Sequence, residues 1–215
     1  MRECRSGEPV VLWTRGVAAR ETLSYLDRRG IDAEPALIGA GLSRYQLSQA
    51  DIGVSAAAQY RFLELAAAEA NDSLLGLHVA AEMDLRALGI LFYLTEASQT
   101  VLEALENLAR YSATTNEALV VEISRHKDEV ILAIRHMQQF DEPHGQFFEL
   151  LALWFTRTLH KETKPRFRPA ARNVHPRPKR RAEGVSPPVA VSCRLRSSGR
   201  QLGPTPACHG PVDSV

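Results

Sequence analysis

Residues 85–112 read LRALGILFYLTEASQTVLEALENLARYS, and this stretch decides the predicted fold. Almost every side chain between residues 87 and 94 is apolar, so a helix here is stable in water only if other elements cover it on nearly all sides. We therefore predict a central core helix. Thr100 and Glu103 then have the spacing of a capping box, in which a hydroxyl and a carboxylate satisfy backbone donors at a helix start. A second helix is predicted to begin near Thr100.

This second helix has one apolar face and one polar face. Val101, Leu105 and Leu108 recur at helical spacing, while Glu106 and Arg110 take the opposite side. One face should therefore be buried and the other should meet solvent. We predict that Leu105 is a buried anchor of the core.

The chain before residue 85 is predicted to be almost entirely helical. Gly30 ends the first helix, Pro35 opens the second, and Ser55 is the N-cap of a long alanine-rich helix. The predicted order is a flexible arm over residues 1–16, then helices over 17–29, from 35, over 55–70 and over 74–83.

A different pattern begins after residue 116, where apolar and polar side chains alternate. The alternating apolar residues are Leu119, Val121 and Ile123, followed by Val130, Leu132 and Ile134. This period of two predicts an antiparallel hairpin over residues 117–137. Apolar residues too numerous for one stripe then predict a buried helix over 144–160, and a third strand is predicted around 167–174. The predicted fold class is α+β, an N-terminal helical bundle packed on a small antiparallel sheet.

Charge and proline are unevenly distributed along the 215 residues, although the net charge is only +1. Residues 163–215 hold 11 Lys and Arg against 2 acidic residues, and 9 of the 12 prolines. Such a composition cannot bury enough apolar surface to offset chain entropy. We predict a folded domain over residues 17–178 and a basic, disordered tail over 179–215. Nucleic-acid binding by such a tail should be weak and blind to sequence, because no folded element aims its arginines.

The cysteines and the hydropathy of the sequence indicate in which cellular compartment the protein is expected. Cys4, Cys193 and Cys208 are far apart and lack a C-x-x-C pairing, so neither a disulfide framework nor a zinc site is expected. The first residues form no secretory segment, and no apolar run approaches the length of a transmembrane helix. We therefore predict a soluble, cytoplasmic protein without membrane contact.

Catalytic and metal motifs are absent from the sequence. The seven histidines are scattered, and none pairs with another at helical spacing beside an acidic residue, so no metal is predicted. No P-loop, G-x-S-x-G, G-x-G-x-x-G or H-E-x-x-H occurs, and no cofactor is predicted. An enzyme is the poorer hypothesis, although a site assembled from distant residues stays open.

Four side chains are the predicted ligand-binding residues: Tyr93, Tyr111, His136 and Trp154. The aromatic ones could line a small-molecule cavity between the central helices and the sheet, where a few polar tips among apolar walls orient a ligand. The alternative is that they belong to the core, with the tyrosine hydroxyls finding protein partners. His136 closes the second strand and is either a pocket group or an edge histidine that meets water.

The central stretch also resembles a known family. The segments LGILFYL (88–94), SQTVLEAL (98–105) and LARY (108–111) are similar to the N-terminal sensor domain in one branch of the arabinose-regulator (AraC-type) transcription factors. The resemblance runs from about residue 20 to about residue 178. It implies a small-molecule effector pocket, whose residues it does not identify, and self-association as a homodimer or as a heterodimer with a full-length relative.

Related regulators continue into a DNA-binding domain with two helix-turn-helix units, whereas residues 182–215 show neither helical periodicity nor strand alternation. The favoured interpretation is therefore the effector-sensing and dimerisation domain of an AraC-type regulator, truncated before its DNA-binding domain. Such a chain should not recognise a specific DNA sequence. Two alternatives stay open: a stand-alone small-molecule-binding or catalytic protein on the same fold, and a nonfunctional remnant of a frameshifted gene.

Overall fold

The computed structural model describes residues 10–49, 52–126, 129–138, 140, 143–163 and 189–194. Its architecture is α+β, as predicted, with helices preceding an antiparallel hairpin and one long helix following it. The helices are α1 Val17–Arg28, α2 Glu34–Ala40, α3 Arg44–Ser48, α4 Ala56–Glu69, α5 Leu75–Glu82, α6 Ile90–Glu96, α7 Val101–Tyr111 and α8 Gly145–Thr163.

Two small antiparallel sheets complete the fold. The strands are β1 Trp13–Thr14, β2 Val54–Ser55, β3 Leu119–His126, β4 Glu129–His136 and β5 Val189–Arg194. Strand β1 pairs with β2, and the other three lie in the order β3–β4–β5. The predicted hairpin is confirmed, and its register places Val121 opposite Ile134 and Ile123 opposite Leu132. Val121, Leu132 and Ile134 are buried, so the alternating pattern faces the helices.

Helix α4 lies at the centre of the molecule, in contact with α1, α2, α5 and α8. Tyr60, Phe62 and Leu63 of this helix are almost completely buried. Burying an aromatic or leucine side chain stabilises a fold by about 1.5–3 kcal/mol before the cost of chain entropy. Helix α8 supplies the opposite wall of the core, and the prediction of a buried helix after the hairpin is confirmed.

Two predicted helix starts are confirmed by their caps. The Ser55 hydroxyl accepts a hydrogen bond from the N–H of Ala58 at 3.0 Å, and the Thr100 hydroxyl accepts one from the N–H of Glu103 at 3.1 Å. The Glu103 carboxylate accepts instead from the N–H of Gln99, one residue earlier than a capping box requires. Leu105 is 1% exposed, which confirms it as a core anchor.

The prediction of a fully covered helix at residues 87–94 is wrong. The segment is divided into a 3-10 helix, Leu85–Leu88, and the short helix α6. Gly89 separates them with φ +60° and ψ −126°, a backbone conformation that L side chains rarely adopt. Leu91 and Phe92 are buried, whereas Ile90 and Tyr93 are 56% and 59% exposed. One side of this apolar segment therefore packs on the core, and its other side is exposed to solvent.

The N-terminal arm expected over residues 1–16 requires a correction at its end. Trp13 and Thr14 form β1, and the N–H of Arg15 donates to the carbonyl of Thr115 at 2.9 Å. Backbone hydrogen bonds thus hold this part of the chain in place. The side-chain pattern gives no signal for such bonds, so the sequence did not predict them. Helix α3 was also missed, because Leu47 is its only buried residue and gives no periodicity.

The tail predicted over residues 179–215 also requires a correction, because residues 189–194 form β5 on the free edge of β4. The local sequence VAVSCR places two strand-favouring valines, Val189 and Val191, at alternate positions, and a strand edge supplies unpaired backbone groups. The proline and arginine content of the surrounding tail hid this short signal. The third strand predicted around 167–174, like the rest of the tail, lies outside the described residues.

None of the helices in the described residues combines the length and apolar character needed to cross a membrane.

Candidate functional site

A cavity lies between the helices and the inner face of the hairpin. Its volume is about 70 Å³, which is several times the roughly 10–15 Å³ that one water molecule needs on the same measure. Most of its wall is apolar, with Leu91, Leu108, Val121, Leu150 and Phe155 contributed by α6, α7, β3 and α8. The cavity therefore sits where the sequence predicted a binding site, between the central helices and the sheet.

Polar side chains reach the cavity from one side. They are Thr14, Gln59, Ser112, Thr115 and Asn116. Each already bonds to the backbone: the carbonyl oxygens of Gln59 and Asn116 accept from the N–H groups of Ala19 and Ala118, at 3.4 and 3.0 Å. The three hydroxyls donate to backbone carbonyls at 3.0–3.4 Å. These side chains hold the N-terminal segment, α4 and the start of β3 around the cavity.

Trp154 is the predicted ligand-binding residue that lines this cavity. Its side chain is 2% exposed, and its indole N–H has no hydrogen-bond partner in the protein. A buried N–H that loses its bond to water without a replacement costs about 1–3 kcal/mol. The indole N–H is therefore a buried donor without a protein partner, on a residue that lines the cavity.

The other three predicted residues lie elsewhere and do not meet Trp154 at this cavity. Tyr93 is on the exposed side of α6, and its ring contacts Phe92 edge-on at 5.4 Å between centroids. Tyr111 is half-buried at the end of α7, packed against the core but outside the cavity wall. Both tyrosines stand apart from the cavity, so binding through them stays a prediction.

His136 lies in a separate cluster of rings at the end of β4. Its ring centroid is 5.1 Å from that of Tyr60, 4.9 Å from Phe140, 4.6 Å from His144 and 4.8 Å from Phe148. This aromatic cage joins α4, β4 and α8. The structure thus leaves His136 half-buried, with both ring nitrogens shielded from solvent by the surrounding rings.

Burial determines the charge state of His136. Neither of its ring nitrogens makes a well-formed hydrogen bond. Burial lowers the pKa of His136 to about 4, nearby His144 acts in the same direction, and the backbone of Ala118 opposes the shift in part. The imidazole is therefore neutral at neutral pH and packs as an aromatic ring.

Two polar side chains of α8, Gln146 and Arg157, bond to the backbone of α5 and of the residues that flank it. The Gln146 side chain accepts from the N–H of Gly76 at 2.7 Å and donates to the carbonyl of Ser73 at 3.0 Å. Further along α8, Arg157 donates to the carbonyls of Ala80 and Met83 at the end of α5. We call these contacts the α5–α8 seam.

Sequence reasoning missed the polar residues of the cavity. Gln59 is 1% exposed in an alanine-rich helix, and a polar residue three positions before the buried Phe62 was the available signal. Thr14 and Asn116 are 7% exposed or less and pair across an isolated β-bridge. This pairing joins positions about a hundred residues apart, and no local pattern reports such a contact.

Among the residues that the structure describes, no group of three or more His, Cys, Asp or Glu side chains could hold a metal ion. No acidic or basic side chain lines the cavity in the same part of the chain. The candidate site is thus a small cavity with a mainly apolar wall and a few polar side chains.

Comparison with protein families agrees with this form. The model of the arabinose-binding N-terminal domain of AraC transcription regulators matches residues 30–186, more than two thirds of the chain. The chain belongs to this family of effector-binding regulatory domains. The match extends eight residues beyond residue 178, where the predicted domain ended. A search of curated proteins gave no significant match.

Proposed function

We propose that this domain senses a small effector in the cavity beside Trp154 and passes its presence to transcription, in the cytoplasm. The observation that carries the proposal is the mainly apolar cavity between the helices and the hairpin, which Trp154 helps to line. A regulatory role is favoured over catalysis because the described wall holds no acid or base for proton transfer. Family membership supports the same role.

The two tryptophans allow a direct test of effector binding. Trp13 is 50% exposed, whereas Trp154 is buried at the cavity. In a Trp13→Phe variant the fluorescence therefore reports Trp154 alone. We expect one class among amino acids, sugars and small acids to change this emission and to raise the melting temperature.

A cavity-filling variant supplies the control. Ala18 lines the cavity, so Ala18→Leu should fill part of it and abolish the response, whereas Ala68→Leu on the exposed side of α4 should not. A response that survives Ala18→Leu unchanged would place the binding site elsewhere.

We also propose that the domain self-associates through the exposed side of α6. Ile90 and Tyr93 lie one helical turn apart and are both more than half exposed, so they offer an apolar surface. Sedimentation equilibrium should show a dimer that Ile90→Lys weakens. Tyr45→Lys, which changes an exposed tyrosine on α3, is the control and should leave association unchanged.

We propose that these 215 residues alone do not recognise a specific DNA sequence. The excess of basic residues lies in residues 163–215, whose composition does not favour a rigid reading helix. A gel-shift titration at physiological salt should therefore give only diffuse, competitor-sensitive binding. A discrete complex on one promoter that survives excess nonspecific DNA would contradict this.

A further inference from the structure

Helix α6 lies between the cavity and the outside of the protein. Leu91 is on its inner side, is 4% exposed and lines the cavity, whereas Ile90 and Tyr93 are on its outer side and are exposed. The inference that follows rests on the proposed function, in which the cavity holds the effector and the outer side of α6 joins two copies of the chain. Because a helix moves as a unit, a shift of its inner side also moves its outer side.

The other walls of the cavity are firmly held. Gln146 and Arg157 bond α8 to the backbone of α5 and of the residues that flank it. Strand β3 is paired with β4 along its whole length, and α7 begins at the Thr100 cap. These contacts resist displacement of α7, α8 and β3 by a molecule in the cavity.

Helix α6, by contrast, is short and begins at a glycine. It has seven residues, and Gly89 before it has φ +60° and ψ −126°, a conformation that suits glycine. A methyl group at Gly89 would meet nothing within 4 Å, so the space around this residue is open. Residues at the end of an element absorb the backbone change when that element moves. Gly89 is therefore the position at which α6 can tilt.

We propose that α6 couples occupancy of the cavity to association of the chain. An occupant that contacts Leu91 restricts the tilt of α6 and so orders Ile90 and Tyr93 before a second copy docks. Association then loses less conformational freedom, and a filled cavity should tighten the dimer. The coupling is reciprocal, so the dimer should bind the effector more tightly than the monomer does.

A covalent occupant tests this coupling before the effector is known. Ala18 lines the cavity from α1, and Ala18→Leu extends a larger side chain into it. In sedimentation equilibrium of the full chain, the dimer dissociation constant should fall at least about fivefold, the lower end of ordinary allosteric coupling. Ala68→Leu, on the exposed side of α4, is the control and should leave the constant unchanged.

A second filling variant covers the case in which Ala18→Leu does not fold. Val121 lines the cavity from β3, and Val121→Leu adds volume there. The comparison uses the variant that keeps the melting temperature of the unsubstituted chain. An unchanged dissociation constant in that variant would overturn the coupling, and a raised one would overturn its direction.

A pair of truncations tests the route through α6. Leu91 and Leu150 both line the cavity and are both 4% exposed, but Leu91 is on α6 and Leu150 is on α8. Added to Leu91→Ala, the filling substitution should no longer tighten the dimer, whereas added to Leu150→Ala it should still do so. Tightening that persists in both backgrounds would assign the coupling to another element.

Hydrogen exchange measures the ordering of α6 directly. In an Ile90→Lys background, which prevents association, the filling substitution should slow exchange of the α6 amides at least about threefold. The amides of α7 are the reference for any general change in stability. Equal exchange of α6 with and without the filling substitution would contradict the ordering step.

The outcomes separate the coupling from the proposed function. If an effector binds in the cavity and the dimer dissociation constant ignores both the effector and the filling substitution, the coupling is wrong and sensing stands. If Ile90→Lys leaves the dimer intact, the proposed dimer surface is wrong, and the coupling through it is overturned as well.

Discussion

Helix α8 meets two very different neighbours. Toward α5 it forms a closed seam, where Gln146 and Arg157 satisfy backbone groups and Gly76 allows the two helices to touch. Toward α7 and β3 it borders a cavity, where Trp154 keeps a donor without a partner. One face of the helix is therefore closed by hydrogen bonds, and the other borders open space. A sensor needs both, because a site responds to its ligand only if a stable frame holds it in place.

The largest expected effect breaks the seam at its closest point. A methyl group at Gly76 would lie 2.1 Å from the carbonyl oxygen of Gln146, and backbone cannot move aside as a flexible side chain can. Gly76→Ala should therefore lower the free energy of unfolding by about 3 kcal/mol or more, measured by chemical denaturation. Gly145→Ala is the matched control, since its methyl group meets nothing nearer than 3.7 Å. Equal stability of the two variants would show that the seam is looser than described.

The second prediction concerns the other end of the seam. Arg157→Met keeps most of the side-chain volume and removes the donors to Ala80 and Met83. Leaving carbonyls at the end of α5 unsatisfied should cost about 2 kcal/mol. Arg157→Lys retains a charged donor and should recover part of the loss. A thermal melt that does not distinguish the two substitutions would contradict a capping role.

The third prediction tests the cage around His136 by pH. The unfolded imidazole titrates near 6.5, whereas burial lowers the pKa of folded His136 to about 4. The unfolded chain therefore binds the proton first, so this stability is present above pH 6.5 and is lost as the pH falls toward 4. Partial exposure reduces the effect, and we expect a loss of roughly 1–2 kcal/mol between pH 7 and 4.5. His136→Phe should flatten this part of the profile, and an unchanged pH dependence in that variant would contradict the assignment.

The smallest expected effect is at Trp154, which is buried beside the cavity. Trp154→Phe loses ring volume next to existing space, but it also removes a buried donor that has no partner. These contributions oppose each other, so the free energy of unfolding should change by less than about 1 kcal/mol. A loss larger than that caused by Arg157→Met would reverse the comparison between the two faces of α8.

Short-range sequence patterns predicted the helices and strands better than they predicted the cavity. The caps at Ser55 and Thr100 and the alternation in the hairpin are short-range patterns, and they gave the correct elements. The covered helix at residues 87–94 failed because apolar character alone does not report the backbone break at Gly89. Composition led to a wrong prediction for β5, because the six residues of this strand lie in a segment rich in proline and arginine.

The cavity could be predicted only in part, since it is built from contacts between distant positions. Trp154 was a candidate because a large aromatic with a polar tip suits a pocket, and it does line the cavity. Gln59, Thr14 and Asn116 act through backbone hydrogen bonds made by folding, which their neighbours in sequence do not reveal. Tyr93 was selected for its apolar surroundings, yet the helix turns it outward.

The bridge between Thr14 of β1 and the segment just before β3 also has a kinetic consequence. The bond from Thr14 to Thr115 joins positions 101 residues apart, whereas α5 through α8 and the hairpin contain many nearer contacts. Closing so long a loop is entropically costly before its contacts form, so the segment around Thr14 should be among the last to dock. The cavity then acquires its final wall late in folding. A molecule that binds there would act on this last step and slow the release of the N-terminal segment.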